Sequence, residues 1–176
     1  KEIAAFFGAV LGGKGATTSA FGDDLATVSA HIDTPTLEYT RSILGKSGEV
    51  GHSTNAWKAL SHLTRNDESV ERVVVLTDMQ VWDSTADRFL YGTGDETMRE
   101  WWHEYRDEVN PDAALYMIDL SSYGDPVTPE GEENVYNING WNSKVLDFIE
   151  YAENTGEIVD EVRAYEPRTV LPFEEA

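Results

Sequence analysis

The fold is decided by residues 71–82, which read Glu-Arg-Val-Val-Val-Leu-Thr-Asp-Met-Gln-Val-Trp. A continuous Val/Leu run at residues 73–76 is bounded by charged residues, which is typical of a strand that is covered on both faces in a parallel sheet. In open sheets of this kind, ligands bind beyond the carboxyl ends of the strands. Asp78 therefore stands where coordination or chemistry is expected, although the same side chain could simply cap the following loop.

Outward from this run, the hydrophobic spacing alternates between helix and strand periods. A hairpin is predicted from residues 16–21 and 25–32, and further strands from residues 113–120 and 134–138. Helices are predicted at residues 2–11, from Asp33-Thr34-Pro35, after residues 51–55, from Asp95, and after Asn142 or Ser143. This order predicts an α/β fold with a mostly parallel sheet, one antiparallel edge strand and helices on both faces.

Four segments are interpreted as loops or extended chain. They are a glycine-rich, charged loop at residues 45–51, a long loop at residues 79–94, an irregular stretch at residues 121–133 and an acidic arm at residues 156–176. The first loop delivers Gly51-His52-Ser53-Thr54-Asn55 to the start of a helix. Small polar residues there either cap the helix or present hydroxyls and N–H groups to an anion or a metal-bound ligand.

The helix predicted from Asp95 carries candidate binding residues. Trp101 and Trp102 follow helical spacing, so we interpret them as packing residues rather than as a stacking platform for bases. His103 and Asp107 lie four residues apart and could share a metal. Without an evident third ligand, a solvated face is the favoured interpretation.

Composition limits the class of protein. The 176 residues suffice for one sizeable core, there is no cysteine, and no apolar run is long enough to span a bilayer. The 33 acidic and 13 basic residues give a formal net charge of −20, spread along the chain as an acidified surface. This favours a cytoplasmic protein of a salt-adapted organism or its virus, with an ordinary acidic mesophile protein as the alternative. This negative charge argues against direct binding of nucleic acid, because phosphate binding needs clustered Lys and Arg.

Four motifs carry a family resemblance: Gly51-His52-Ser53-Thr54, the residue 73–82 segment, Tyr105-Arg106 before Asn110-Pro111 with the following strand, and residues 134–141 with the helix at 145–149. Together they resemble the von Willebrand factor A domain. Within that superfamily the chain looks most like the A domain at the end of TROVE-module proteins, the Ro autoantigen family. The resemblance implies an A-like domain at residues 1–155, followed by the acidic arm.

The resemblance also implies a divalent cation site, with Mg²⁺ as the expected ion. Family members hold the ion with an Asp-x-Ser-x-Ser motif on the first strand, a threonine and an aspartate, and Thr54 and Asp78 match the last two. The loops around the site would contribute Ser53, Asn55, Gln80, Asp83 and Ser121. The Asp-x-Ser-x-Ser motif is absent from this sequence, so we expect the first, central strand to be missing upstream and to leave a gap between the hairpin and the residue 73–76 strand. The alternatives are that another segment supplies the motif or that this protein has discarded the site. The cation is expected only if the upstream motif is present, and no cofactor otherwise.

Three functions follow as hypotheses. The first is a non-enzymatic binding module of a Ro/TROVE-like ribonucleoprotein, which would reach RNA through a neighbouring helical-repeat domain and a protein partner through the metal-site face. The second is a structural or interaction A-like domain in a virion or another large assembly. The third, a hydrolase using Asp78, Asp83 and Asp119 with a metal, is disfavoured because the sequence has no glycine-rich phosphate loop, nucleophile elbow or evident histidine base.

Overall fold

A computed structural model describes residues 1–29, 33–53, 55–77, 97–120, 132–140 and 144–153. The chain divides into two compact units, Lys1–Trp141 and Asn142–Ala176. Over the described residues the elements follow in this order: α1 (Glu2–Gly12), β1 (Thr18–Phe21), β2 (Leu25–Val28), α2 (Thr36–Glu49), α3 (Trp57–Arg65), β3 (Arg72–Thr77), α4 (Met98–Glu108), β4 (Ala114–Asp119), β5 (Val135–Asn139) and, in the second unit, α5 (Lys144–Glu153).

The predicted fold class is confirmed: helices alternate with a parallel sheet ordered β3-β4-β5 and an antiparallel pair β1-β2. The β3–β4 pairing aligns Arg72 with Ala114 and continues to Thr77 opposite Asp119. The two sheets are not hydrogen-bonded to each other within the described residues. The predicted gap between the hairpin and the residue 73–76 strand, and the central strand expected to fill it, stay predictions.

Strand β4 is buried along nearly its whole length, as its apolar run predicts. Leu115 and Met117 point to the same face as Val75, and this face is covered by α3 and α4. Tyr116 and Ile118 point to the opposite face and are also fully buried. Burial on both faces is the pattern that parallel strands show in layered α/β folds.

The larger core cluster is built from aromatic residues on α3 and α4. Trp57 and Trp101 stack with their ring centroids 6.4 Å apart, and Trp102 stacks on Tyr105 at 6.1 Å. All four side chains are buried. The interpretation of Trp101 and Trp102 as packing residues is therefore confirmed, and neither ring is open for a base to stack upon.

The hydroxyl of Tyr105 joins α4 to the segment that leads into β3. It accepts a hydrogen bond from Val70 N at 2.8 Å and lies 3.2 Å from the carbonyl oxygen of Glu68. Asn110 Nδ2 donates to the carbonyl of Val70 at 2.9 Å, so both backbone groups of Val70 are satisfied by side chains. This arrangement explains why a tyrosine and an asparagine stand five residues apart at the end of this helix.

The hairpin packs on α1 and α2 through a smaller cluster. Ala5 and Ala9 of α1 meet Val28, Tyr39 and Ile43 there. The Tyr39 hydroxyl donates to the carbonyl of Val28 at 2.8 Å. Two glycines of α1 let these elements approach closely, since a Cβ at position 12 would lie 2.3 Å from the Tyr39 ring.

The predicted loop at residues 45–51 is wrong over most of its length, because α2 continues through Gly45 and Gly48 to Glu49. Each glycine lowers helix stability by about 1 kcal/mol relative to alanine. The helix nevertheless persists because Ile43 and Val50 are buried and Lys46 pairs with Glu49 at 2.6 Å. Tertiary packing here overrides the local preference of glycine.

Other boundaries differ by a few residues from the predicted ones. Helix α4 begins at Met98 with a capping box, in which Thr97 and Glu100 bond each other's backbone N–H groups. Strand β2 ends at Val28. The predicted arm at residues 156–176 lies outside the described residues, so the boundary at residue 155 stays a prediction. Across the described part, no helix combines the length and apolar character needed to cross a membrane.

Candidate functional site

Most of the predicted metal-site residues lie outside the described part of the chain. This holds for Thr54 and Asp78, the two predicted metal ligands, and for three of the surrounding loop residues, Gln80, Asp83 and Ser121. Their roles stay predictions. Ser53 and Asn55, which flank Thr54, are described.

The carboxyl edge of the parallel sheet is polar, as expected for a ligand-binding edge. Thr77, Asp119 and Asn139 stand in register across the last residues of β3, β4 and β5. The backbone continues the ladder beyond them, since Leu120 N donates to Thr77 O and Gly140 N donates to Asp119 O, both at 2.8 Å. The residue that follows Thr77 in the sequence is Asp78, which lies outside the described residues.

The loop before α3 is held against the hairpin turn rather than capping the helix. The N-cap position of α3 is Ala56, which offers no side-chain oxygen. Ser53 instead donates its hydroxyl proton to the carboxylate of Asp23. Gly51 lies so close to the Asp23 carboxylate, with φ at +86°, that no other residue fits without rearrangement.

The hydrogen bond from Ser53 lowers the pKa of Asp23. Desolvation opposes this effect, and the backbone N–H groups of His52 and Ser53 act in the same direction as the Ser53 hydroxyl. Asp23 is thus a carboxylate whose charged form is fixed by its neighbours. No local sequence pattern indicated this pair, whose two residues are thirty positions apart.

The ligands that Mg²⁺ requires can be compared with the side chains that this chain offers. Mg²⁺ takes near-octahedral oxygen coordination from a few carboxylates or hydroxyls and water. No group of three or more His, Asp or Glu side chains within the described ranges could hold a metal ion. The Ser53 hydroxyl is engaged with Asp23, and Thr54 and Asp78 supply only two ligand side chains. These residues do not make a complete Mg²⁺ site by themselves.

The interpretation of His103 and Asp107 as a solvated face agrees with the structure. His103 is half-exposed and its Nε2 lies 2.9 Å from Glu132, which also pairs with Arg99 at 3.0 Å. These contacts tie the outer face of α4 to the segment before β5. Their partners are about thirty residues apart, so spacing within the helix could not have revealed them.

A second candidate site, missed by sequence reasoning, is a cleft between α3 and β2. Lys58, His62 and Arg65 line it from α3, at intervals of four and three residues. Residues so spaced share one face of a helix. The sequence signal for this cleft was a set of three side chains that can carry positive charge. Their spacing places them on one helix face, which is unusual in so acidic a chain.

Comparison with known proteins identifies a solved structure that shares the fold of this chain. No protein-family profile matches the chain, and no curated protein matches it. The chain is similar to the crystal structure of the Ro (RSR) protein of Deinococcus radiodurans, with a TM-score of 0.60, 12% sequence identity and coverage of 81% of this chain. It spans 27% of the length of that protein. The chain therefore has a fold that also occurs within a Ro protein.

Proposed function

We propose that this chain is a non-enzymatic binding module of a Ro-like ribonucleoprotein, forming its von Willebrand factor A-like part. The observation that carries the proposal is the shared fold with a Ro protein over 81% of the chain. The polar carboxyl edge of β3–β5 supports it, since such edges are where open sheets bind ligands. That edge, with Thr54 and Asp78, would be the face offered to a protein partner.

RNA contacts would come from a neighbouring helical-repeat domain. The reason is electrostatic: a chain with a formal net charge of −20 repels a phosphate backbone unless it concentrates Lys and Arg over a long surface. The short cationic stripe on α3 is too limited to follow several phosphates. The module would thus act on RNA-bound complexes through protein contacts.

The first experiment compares the whole encoded protein with this chain alone. RNA crosslinking and gel-shift titrations at two salt concentrations should show binding by the whole protein and none by residues 1–176. Equal RNA affinity of the two would contradict the assignment of RNA binding to another domain. Absence of RNA binding by the whole protein would contradict the ribonucleoprotein proposal itself.

The second experiment tests the metal. Because Thr54 and Asp78 are too few ligands, calorimetric titration of this chain with Mg²⁺ should give no site tighter than the millimolar range, which is roughly the affinity expected of sparse carboxylate ligands. In the whole protein, partner binding that is lost with EDTA and in Asp78→Ala would support a completed site. Binding or assembly that resists EDTA would instead favour a structural module of a large assembly.

A further inference from the structure

The cleft between α3 and β2 is a small depression in the first unit, lined by charged, polar and apolar side chains. Its volume is about 290 Å³, and β2 contributes Leu25 and Thr27 to one wall. Helix α3 contributes the opposite wall and its floor. The lining residues named here all belong to the described part of the chain.

The α3 wall concentrates positive charge. Lys58 and Arg65 are fixed cations, and His62 lies between them. At 1.5 Å rise per residue, the three positions span about 10 Å along the helix. One carboxylate, that of Asp24, also lines the cleft, but its Oδ1 accepts a hydrogen bond from Leu25 N at 2.8 Å. The fixed charges of the cleft are therefore two positive and one negative, in a chain of net charge −20.

Two buried tryptophans hold these cations in position. Lys58 Nζ lies 5.5 Å from the Trp57 ring centroid, and the Arg65 guanidinium lies 5.1 Å from that of Trp101. The attraction between a cation and an aromatic face favours these positions over free motion in solvent. The two stacked rings are only 8% and 7% exposed, so they orient the cations and offer no platform to a nucleobase.

Ser61 adds a hydroxyl to the cleft. It lines the cleft between the two fixed cations, and the residue as a whole is only 3% exposed. Its hydroxyl is not one of the described buried polar atoms that lack a partner, so its oxygen is accessible from the cleft. An accessible hydroxyl can donate to a ligand oxygen in place of water.

We propose that this cleft binds a phosphate monoester group. A compact dianion matches the two cations, and its oxygens can accept from the Lys58 ammonium, the Arg65 guanidinium and the Ser61 hydroxyl together. The burial of both tryptophans separates this site from single-stranded nucleic acid sites, which add stacking on exposed rings. The group could be carried by a phosphorylated side chain or by a nucleoside monophosphate, and the experiment distinguishes these sources.

The test is a titration of the full chain followed by ¹H–¹⁵N NMR, at ionic strength held constant with chloride. Inorganic phosphate, phosphoserine and a nucleoside 5′-monophosphate are added in separate series. We expect shifts confined to α3 and β2 with all three ligands. Tighter binding of phosphoserine or of the nucleotide would identify the source. Scattered shifts, or stronger binding of an oligonucleotide without a terminal phosphate, would overturn the proposal.

Variants then locate the site. Lys58→Gln/Arg65→Gln should raise the dissociation constant for inorganic phosphate about tenfold or more, since charge-assisted hydrogen bonds are lost. The matched control is Lys14→Gln/Arg41→Gln, which changes net charge equally on exposed residues away from the cleft. If phosphate affinity fell equally in both double variants, the effect would come from overall charge, and the proposed site would be overturned.

Removing both cations could disturb the packing of the tryptophans beneath them. A third variant tests the site without that change. Ser61→Ala changes one atom at a buried position, and its fold can be checked by circular dichroism and thermal unfolding. We expect a several-fold loss of phosphate affinity because one hydrogen bond is removed, with the melting temperature unchanged or raised. Unchanged affinity in a folded Ser61→Ala protein would contradict the role of Ser61 and, with it, the proposed floor of the site.

Discussion

Two halves of the first unit fill their cores in different ways. The parallel half (β3–β5 with α3 and α4) is packed with large side chains such as Trp102, Tyr105 and Leu115, all fully buried. The hairpin half (β1 and β2 with α1 and α2) buries small alanines beside Tyr39, and Gly12 lets α1 approach the Tyr39 ring closely. The first core depends mainly on side-chain volume, whereas the second also depends on close backbone approach. They should therefore fail under different substitutions.

Removing volume should affect the parallel half more. Leu115→Ala, in a strand held between two neighbours, should lower the free energy of unfolding toward the upper part of the roughly 2–5 kcal/mol range for such truncations. Ile43→Ala, in the small cluster of the hairpin half, should lie toward the lower part because that site can collapse more easily. Urea unfolding of both variants in the same salt measures the difference, and a larger loss for Ile43→Ala would invert the comparison.

Adding volume should affect the hairpin half more. A methyl group at Gly12 would meet the Tyr39 ring at 2.3 Å and Thr18 Oγ1 at 2.9 Å. Tyr39 cannot easily move away, since its hydroxyl is bonded to Val28. Gly12→Ala should therefore cost about 1–3 kcal/mol.

The matched control for that addition is Gly48→Ala. Position 48 lies inside α2 with open space around the added methyl, so this variant should gain about 0.5–1 kcal/mol from helix preference. Thermal unfolding should thus move in opposite directions for two identical substitutions. A stabilising Gly12→Ala would show that the close contact between α1 and α2 is not required.

One tyrosine hydroxyl in each half sharpens the comparison further. Tyr105→Phe leaves the N–H of Val70 without its acceptor and should cost about 1–3 kcal/mol, because an orphaned donor carries its full desolvation cost. Tyr39→Phe removes only a donor to a carbonyl and should cost about 0.5–1.5 kcal/mol. Chemical denaturation gives both values. Faster hydrogen exchange at Val70 in Tyr105→Phe alone would locate the lost contact.

The parallel half was also the more predictable from sequence. Its strands β3 and β4 are continuous apolar runs, and Trp101 and Trp102 follow helical spacing. Burial agrees with this pattern along β4, whereas only Val75 and Thr77 of β3 are buried. Helix α2 was predicted too short because two glycines and several charges outweighed its modest apolar face. Local composition indicates secondary structure only where packing and propensity favour the same conformation.

The candidate sites were less predictable than the fold, for a geometric reason. Thr54 and Asp78 came from a resemblance and lie outside the described residues. The contact between Ser53 and Asp23 joins positions thirty residues apart, and the α3 cleft needs β2 as its second wall. Sequence spacing reports neighbours on one helix or strand, whereas a site is assembled from several elements. Only the stripe of Lys58, His62 and Arg65 was visible as a local pattern.

The smallest expected effect concerns the contact that ties the hairpin turn to the loop before α3. The hydrogen bond from Ser53 lowers the pKa of Asp23 in the folded state, so the stabilising contribution is present above the unfolded value of about 3.9 and is lost as the pH falls through the folded value. Asp23→Asn should therefore lose less stability than the parent protein between pH 5 and pH 3, which are roughly the limits of that titration.

Urea midpoints across this range provide the measurement, with Ser53→Ala as the matched variant that returns the pKa of Asp23 toward its ordinary value. Since Asp23 is exposed, the difference should be small; identical acid profiles for all three proteins would show that the two halves are held together without this contact.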